Sequence, residues 1–184
     1  QVDALVDGGV DIVLFETTFD TLNVKAGLEA AETVLKEKGK DLPIMLSLTL
    51  SAQGGRTFSG QTLLAFLASV QHTNIVSVGL NCSFGAADMK PFLAELAKHA
   101  PYYISAYPNA GLPNPDGSYN LDPDEFAAEM KEYAAIGVSM VGGCCGTTPA
   151  FIARLHETFS PLTPADKVPI RRSCLCTPVR FVEV

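Results

Sequence analysis

The sequence predicts an α/β protein built on a parallel sheet, and two observations support that prediction. Short apolar runs typical of strands recur along the 184 residues, and their starts lie 27 to 36 residues apart. Each interval has room for one strand and one helix, and segments of helical periodicity fill the intervals. No long antiparallel insertion interrupts the pattern, so a β-α unit repeats five times. The five runs are 11–15, 44–50, 75–80, 102–106 and 138–141.

The helical segments follow from apolar stripes at helical spacing. The clearest boundaries are those of segment 122–136. Asp122 and Glu125 form a capping box there, and Pro123 suits the first turn. Gly137 then ends the helix. The segments are 22–38, 61–72, 88–98, 122–136 and a last helix that begins at Thr148 and Pro149.

Composition and charge limit the classes of partner. Hydrophobic residues make up 47% of the chain, and its net charge is −7. An acidic chain without an extended basic run argues against nucleic acid and anionic membranes as partners. There is no apolar stretch of the length that crosses a bilayer, and residues 1–10 lack the pattern of a secretory signal. We therefore expect a cytoplasmic protein.

Two architectures fit the repeated unit: an open doubly wound sheet and a (β/α)8 barrel. In both, ligands bind at the carboxyl ends of the strands, so the residues that follow each run are considered together. Helical periodicity ends after Pro161, and residues 161–184 contain four prolines and the basic, cysteine-bearing stretch 171–176. The expected division is a domain over residues 1–160 and a tail or linker over residues 161–184.

Three of the five cysteines follow predicted strands. Cys82 ends the third run, and Cys144 and Cys145 end the fifth. Three converging thiolates suit a borderline-soft ion, and zinc is the favoured one. Flanking glycines at 142, 143 and 146 allow a turn tight enough for adjacent side chains to reach one ion. Spacing alone leaves the alternative of three buried core thiols open.

The other ligand candidates are absent from the strand ends. His72, His99 and His156 lie on helices or at their ends and are expected to be solvated, and Cys174 and Cys176 are expected to be free thiols. Three sulfur ligands leave one tetrahedral position open. Because such a site can bind an incoming thiol and release its proton, the ligand set favours thiol alkylation over hydrolysis.

Polar residues at the same strand ends are candidates for substrate binding. Glu16 has two open interpretations: it holds a substrate ammonium, or it complements the N-terminus of the next helix. Asp20 is better explained as the cap of that helix. Asn109 is either a substrate or weak metal contact or a turn residue, and Asn81 has the same two interpretations.

Four segments resemble a known family. They are Phe15-Glu-Thr-Thr-Phe-Asp-Thr-Leu22, Gly79-Leu-Asn-Cys82, Pro108-Asn-Ala-Gly-Leu-Pro113 and Gly142-Gly-Cys-Cys-Gly-Thr-Thr-Pro149. Over about residues 1–160 the chain resembles the homocysteine-binding domain of cobalamin-dependent methionine synthase. The cysteine combination is typical of the wider zinc homocysteine S-methyltransferase family. The first and third segments favour the methionine synthase branch over betaine- or S-methylmethionine-using relatives.

The resemblance implies a (β/α)8 barrel with zinc held by Cys82, Cys144 and Cys145. Homocysteine sulfur would take the open position, lose its proton and attack the methyl group of methylcobalamin, giving methionine. Glu16 would bind the homocysteine amino group, and Asn109 would lie beside the zinc. The cobalamin and folate domains of the full-length enzyme would be its further partners.

The number of predicted βα units leads to one further expectation. A closed barrel has eight βα units, five are predicted here, and the Asp-Gly-Ala-Met-Gly-type first strand of the family is absent. We expect the last five-eighths of a barrel, inactive alone, with open sheet edges that favour self-association. The alternative to a methyltransferase fragment is a zinc or thiol module without catalysis.

Overall fold

The computed structural model describes residues 1–163 and 173–184. Its centre is a sheet of five parallel strands in the order β1-β2-β3-β4-β5. A doubly wound sheet reverses its strand order at a switch point, whereas this order runs in one direction throughout. The sheet is therefore compatible with an arc of a TIM-barrel-like fold. The strands are β1 Val13–Thr18, β2 Ile44–Leu48, β3 Ile75–Gly85, β4 Tyr103–Asn109 and β5 Met140–Val141.

Helices follow each of the first four strands, and a last helix follows β5. The predicted caps are confirmed: Asp20 accepts a hydrogen bond from the Asn23 amide at 2.8 Å, and Asp122 forms its capping box with Glu125. No helix in the described parts of the chain is both long and apolar enough to cross a membrane. The helices are α1 Val2–Asp7, α2 Thr21–Lys38, α3 Leu63–Val70, α4 Ala86–His99, α5 Pro123–Met130, α6 Tyr133–Ile136 and α7 Pro149–Phe159.

The segment predicted as one helix over 122–136 is two helices. The break falls at Lys131 and Glu132, between α5 and α6. Directly after it, the fully buried ring of Tyr133 donates a hydrogen bond of 2.6 Å from its hydroxyl to the carbonyl of Ala86 at the start of α4. This contact is made between residues 47 positions apart, so the local periodicity of the segment does not reveal it.

The core lies between the sheet and its helices. Leu46, Val78 and Ile104 pair in register across β2, β3 and β4 and are completely buried. Phe15 of β1 belongs to the same row, and its ring fills the space beside Gly27 of α2. This row therefore faces the helices. Alternate residues point to the opposite face, as strand geometry requires.

A β-hairpin at the end of the chain packs against the outside of the sheet-and-helix unit. Its strands are β6 Cys174–Thr177 and β7 Arg180–Glu183. The Pro178 carbonyl in its turn accepts a hydrogen bond of 3.0 Å from the amide of Thr62, the N-cap residue of α3. The expected tail thus contains regular structure, whereas Arg171 and Arg172 of the basic stretch lie outside the described residues. The domain boundary at residue 160 stays a prediction.

The hairpin also covers one of the histidines. The His99 ring lies 5.9 Å from the ring of Phe181, centroid to centroid, and its Nδ1 is 3.3 Å from Oε1 of Glu183. Its side chain is 16% exposed. The expectation that His99 is solvated was wrong, because the strand that covers it is remote in sequence.

Candidate metal centre

The three cysteines predicted to converge do so. The Sγ atoms of Cys82, Cys144 and Cys145 all lie within 4.8 Å of one another. Cys82 and Cys145 are 3.7 Å apart at sulfur, and Cys144 and Cys145 are 4.0 Å apart. Tetrahedral zinc with Zn–S bonds of about 2.3 Å separates its sulfur ligands by about 3.8 Å. The donor set and its spacing therefore fit a zinc ion.

A bulge at the end of β3 presents Cys82. Regular pairing with β4 stops after Asn81 and resumes only at Gly85. Cys82 and Ser83 within the interruption have φ angles of 62° and 61°. This left-handed conformation costs a non-glycine residue about 1–2 kcal/mol, and such bulges re-aim side chains beside active sites. No glycine marks the position, so the sequence does not predict this conformation.

The loop after β5 presents the other two cysteines, and its glycines are needed where they stand. A Cβ added at Gly142 would lie 2.8 Å from the Tyr107 ring, and one at Gly143 would overlap the side chain of Thr147. Gly146 has a φ of +81°, and a Cβ there would overlap the Tyr119 ring. The predicted tight turn is confirmed, and the Tyr107 and Tyr119 rings together with the Thr147 side chain explain why side chains are excluded from it.

Charge repulsion and burial act together on the metal-free thiols. Burial raises the pKa of Cys144 to about 12, and the neighbouring Cys82 and Cys145 contribute to the increase. Three thiolates this close together are unfavourable without a cation. A bound metal ion would reverse that preference, because metal binding requires deprotonated thiols.

Asn109 at the end of β4 fixes the position of the cysteine loop. Its Oδ1 accepts a hydrogen bond of 3.2 Å from the Cys145 amide. Two backbone hydrogen bonds of 2.9 Å continue this contact, from Cys144 N to the Pro108 carbonyl and from Ala110 N to the Cys145 carbonyl. The structure therefore places Asn109 beside Cys145. Its contact with substrate or metal stays a prediction.

Glu16 lies at the exposed end of β1, beside an open cleft of about 380 Å³. Asp20 caps α2, so the helix N-terminus already has its acidic partner. The charge of Glu16 instead acts on Tyr107: burial raises the pKa of the Tyr107 hydroxyl, and the Glu16 carboxylate raises it further. The Tyr107 ring also lies against Gly142 at the start of the cysteine loop.

Asn81 is almost completely buried beneath the site, with 1% of its surface exposed. Its Oδ1 accepts hydrogen bonds from the Thr17 amide at 3.2 Å and from the Ser47 hydroxyl at 2.8 Å. Its Nδ2 donates to Oγ1 of Thr17 at 3.0 Å. These contacts join the ends of three strands. A direct contact between Asn81 and a substrate stays a prediction.

Two tyrosines at the site were not among the candidates identified from the sequence. The Tyr107 ring lies against Gly142, and Tyr119 lies over Gly146. Burial raises the pKa of the Tyr119 hydroxyl, and its contact with Cys145 adds to the increase. Tyr107 directly follows the fourth predicted strand, which is a signal that the sequence offers. Tyr119 lies in the long loop before α5, and nothing local distinguishes it.

Comparison with known proteins agrees with the geometry. The sequence profile of the homocysteine S-methyltransferase family matches residues 1–159. A crystal structure of the homocysteine methyltransferase MmuM from Escherichia coli, in its metallated form, superposes with a TM-score of 0.65 at 26% sequence identity. The match covers 85% of this chain and 48% of MmuM, so the chain spans about half the length of that relative. The chain belongs to the homocysteine S-methyltransferase family.

Proposed function

We propose that this chain supplies the zinc-binding and homocysteine-binding part of a homocysteine S-methyltransferase of the methionine synthase type. The observation that carries the proposal is the convergence of three sulfur atoms at the strand ends, with separations of 3.7 and 4.0 Å for two of the pairs. In the complete enzyme the sheet would form part of an eight-stranded (β/α)8 barrel.

The three thiolates would hold the ion and leave one position for the substrate sulfur. Zinc, when bound there, supplies a Lewis acid that favours loss of the proton from an incoming thiol. The ring of Tyr119 packs on Gly146 in the loop that carries Cys144 and Cys145 and so helps to fix the shape of that loop. Asn109 would support the same loop from β4 through its bond to the Cys145 amide.

Glu16 would bind the amino group of homocysteine. Its carboxylate is exposed beside the cleft and acts on Tyr107, which packs against the cysteine loop. An ammonium held by this carboxylate places the aliphatic chain of the substrate between Glu16 and the cysteines. The orientation reduces the entropic cost of bringing the sulfur to its position.

The methyl donor would be methylcobalamin, bound by a separate domain and remethylated through a folate domain. The support for this branch is the resemblance of segments 15–22 and 108–113 to the methionine synthase type. In the reaction the homocysteine thiol loses its proton and a new S–C bond forms. The bond between the methyl group and its donor breaks, and the donor keeps the electron pair of that bond. Methionine is then released.

The first experiment measures metal and sulfur coordination on the purified chain. We expect about one zinc ion per chain, and X-ray absorption should report a change from three sulfur neighbours to four when L-homocysteine is added. A chain that binds zinc without this change would be a non-catalytic zinc module. A chain that binds no zinc would contradict the proposed site.

The second experiment tests the methyl donor. Because the chain is expected to be inactive alone, methylcobalamin, betaine and S-methylmethionine are each supplied with homocysteine to the complete zinc-loaded enzyme, and methionine is measured. Methionine formed from methylcobalamin alone would support the methionine synthase branch. Methionine formed from betaine or S-methylmethionine would instead assign the chain to one of the other branches.

A further inference from the structure

One carboxamide connects the two ends of the proposed substrate site. Asn81 is the residue directly before Cys82, and it holds both the backbone amide and the hydroxyl of Thr17, which directly follows Glu16. Its Oδ1 also accepts from the hydroxyls of Ser47 and Thr49, at 2.8 and 3.4 Å. The Asn81 carboxamide is therefore held in place by hydroxyl groups at the end of β2. It in turn holds the end of β1 against β3.

Each end of the site lies in a strand irregularity beside this carboxamide. The register of β1 with β2 shifts between Phe15 and Thr18, which includes Glu16, and the register of β3 with β4 shifts between Asn81 and Gly85, which includes Cys82. Thr17 has a φ of 55° and Cys82 has a φ of 62°. A β-branched residue with positive φ persists only where its surroundings hold it.

The hydrogen bonds of Asn81 supply that support at Thr17. The backbone N–H and the Oγ1 atom of Thr17 both form hydrogen bonds with the Asn81 side chain. Without these bonds Thr17 would relax toward an extended conformation. Glu16 would then move relative to Cys82.

We propose that Asn81 is a positioning residue that sets the distance between the Glu16 carboxylate and the substrate sulfur beside Cys82, and that it thereby selects homocysteine over cysteine. The inference rests on the proposed function. The two amino acids share their ammonium and thiol groups and differ by one methylene group between them. A site with two fixed anchors discriminates between such substrates by length, and one methylene group typically changes selectivity 10- to 200-fold.

The test compares homocysteine and cysteine binding to the full chain loaded with Co²⁺, followed through the thiolate-to-metal absorption band. The variant Asn81→Ala removes the support of Thr17. We expect it to retain bound metal but to lose about tenfold or more of the preference for homocysteine. The matched control is Ser47→Ala, which removes one hydrogen bond to the same Oδ1 atom and leaves both Thr17 bonds. The preference of Ser47→Ala for homocysteine over cysteine should stay within about twofold of that of the unmodified chain.

Three outcomes would overturn the inference. The first is an unchanged preference in folded Asn81→Ala, and the second is an equal loss in Ser47→Ala. The third is a parallel weakening of both thiols with the preference retained, which would indicate a direct substrate contact. Thr17→Val serves as a second variant if Asn81→Ala does not fold, because it removes the Oγ1 acceptor while keeping a β-branched residue at positive φ; it should lose preference for homocysteine in the same direction. Failure of the proposed function is distinguishable, since the unmodified metal-loaded chain would then bind neither thiol.

Discussion

Cysteines occur in two regions of this molecule, and they behave differently in each. At the strand ends, Cys82 and Cys145 come from separate strands and their sulfur atoms lie 3.7 Å apart. In the hairpin, Cys174 and Cys176 are alternate residues of β6 and bond to α3 and its C-cap instead. The Cys174 thiol donates to Oε1 of Gln71 at 3.4 Å, and the Cys176 sulfur is 3.8 Å from the hydroxyl of Ser69.

The difference shows what a shared ligand position requires of the backbone. Alternate residues on a regular strand point to the same face with their Cα atoms about 7 Å apart, and here the two thiols contact different residues of α3 and its C-cap and not each other. At the strand ends the chain leaves regular geometry, with a φ of 62° at Cys82 and +81° at Gly146. Convergence therefore depends on strained or glycine-containing turns, which the hairpin cysteines lack.

The largest expected effect is on metal binding when one converging thiol is removed. Cys82→Ala takes away one of three sulfur ligands, so we expect zinc affinity to fall by at least about 100-fold in competition with a chromophoric chelator. Cys176→Ala is the matched control and should bind zinc as the unmodified chain does. Equal losses in the two variants would contradict the assignment of the site to the strand ends.

The next effect distinguishes the cost of placing a side chain at positive φ from the cost of a steric overlap. Gly146→Ala and Gly117→Ala both place a side chain at positive φ, +81° and +82°, which should lower stability by about 1 kcal/mol in thermal melts for Gly117→Ala and by more for Gly146→Ala. Only at Gly146 would the new Cβ overlap the Tyr119 ring, because nothing lies within 4 Å of a Cβ at Gly117.

Zinc affinity should therefore fall about tenfold in Gly146→Ala and stay unchanged in Gly117→Ala. The measurement is the same chelator competition, run at a temperature where both variants are folded. A similar zinc affinity for both would mean that the Tyr119 contact does not shape the cysteine loop.

The protons released when zinc binds should also distinguish the two cysteine regions. With its pKa raised to about 12 by burial and neighbouring thiols, Cys144 is protonated near neutral pH in the metal-free chain. Zinc binding must release that proton, so apparent zinc affinity should increase several-fold with each unit of rising pH. Calorimetry in buffers of different ionisation enthalpy measures the release. Burial also raises the pKa of Cys174, yet Cys174→Ser should leave proton release unchanged.

The raised pKa of Cys144 should also make the stability of the metal-free chain depend on pH. An unfolded Cys144 ionises near its ordinary pKa of 9.0, whereas the folded one stays protonated until about pH 12. The unfolded state therefore binds fewer protons in this interval, and stability is lost as pH rises from 9 to 12. Zinc should remove this loss, because the bound thiol is already deprotonated. Denaturant titrations with and without zinc would measure it.

The smallest effect concerns the hydroxyl of Tyr119. Tyr119→Phe keeps the ring over Gly146 and removes the group that contacts Cys145. One net hydrogen bond of about 1 kcal/mol corresponds to a change of about fivefold in zinc affinity. Tyr103→Phe is the control, since that ring is 63% exposed on β4. Unchanged zinc affinity in Tyr119→Phe would limit the residue to a packing role.

Local signals determined much of this molecule. Hydrophobic periodicity predicted each strand of the five-stranded sheet, and Asp20 and Asp122 were identified as helix caps because capping is a contact between near neighbours. The positions of Cys82, Cys144 and Cys145 at strand ends predicted their convergence, since parallel strands bring their carboxyl ends to one edge. The four motif segments pointed to the family that the comparisons then established.

Long-range contacts decided the rest. Strand order, the break before Tyr133 and the cover over His99 each depend on a residue far away in sequence. The sequence by itself identified the three thiols and the strand ends that carry them, and it left open whether they form a metal site or part of the core. Only the tertiary structure decided how they are aimed, because positive φ at Thr17 and Cys82 is unfavourable locally, and the contacts that hold Thr17 come from Asn81 on another strand, which no local pattern records.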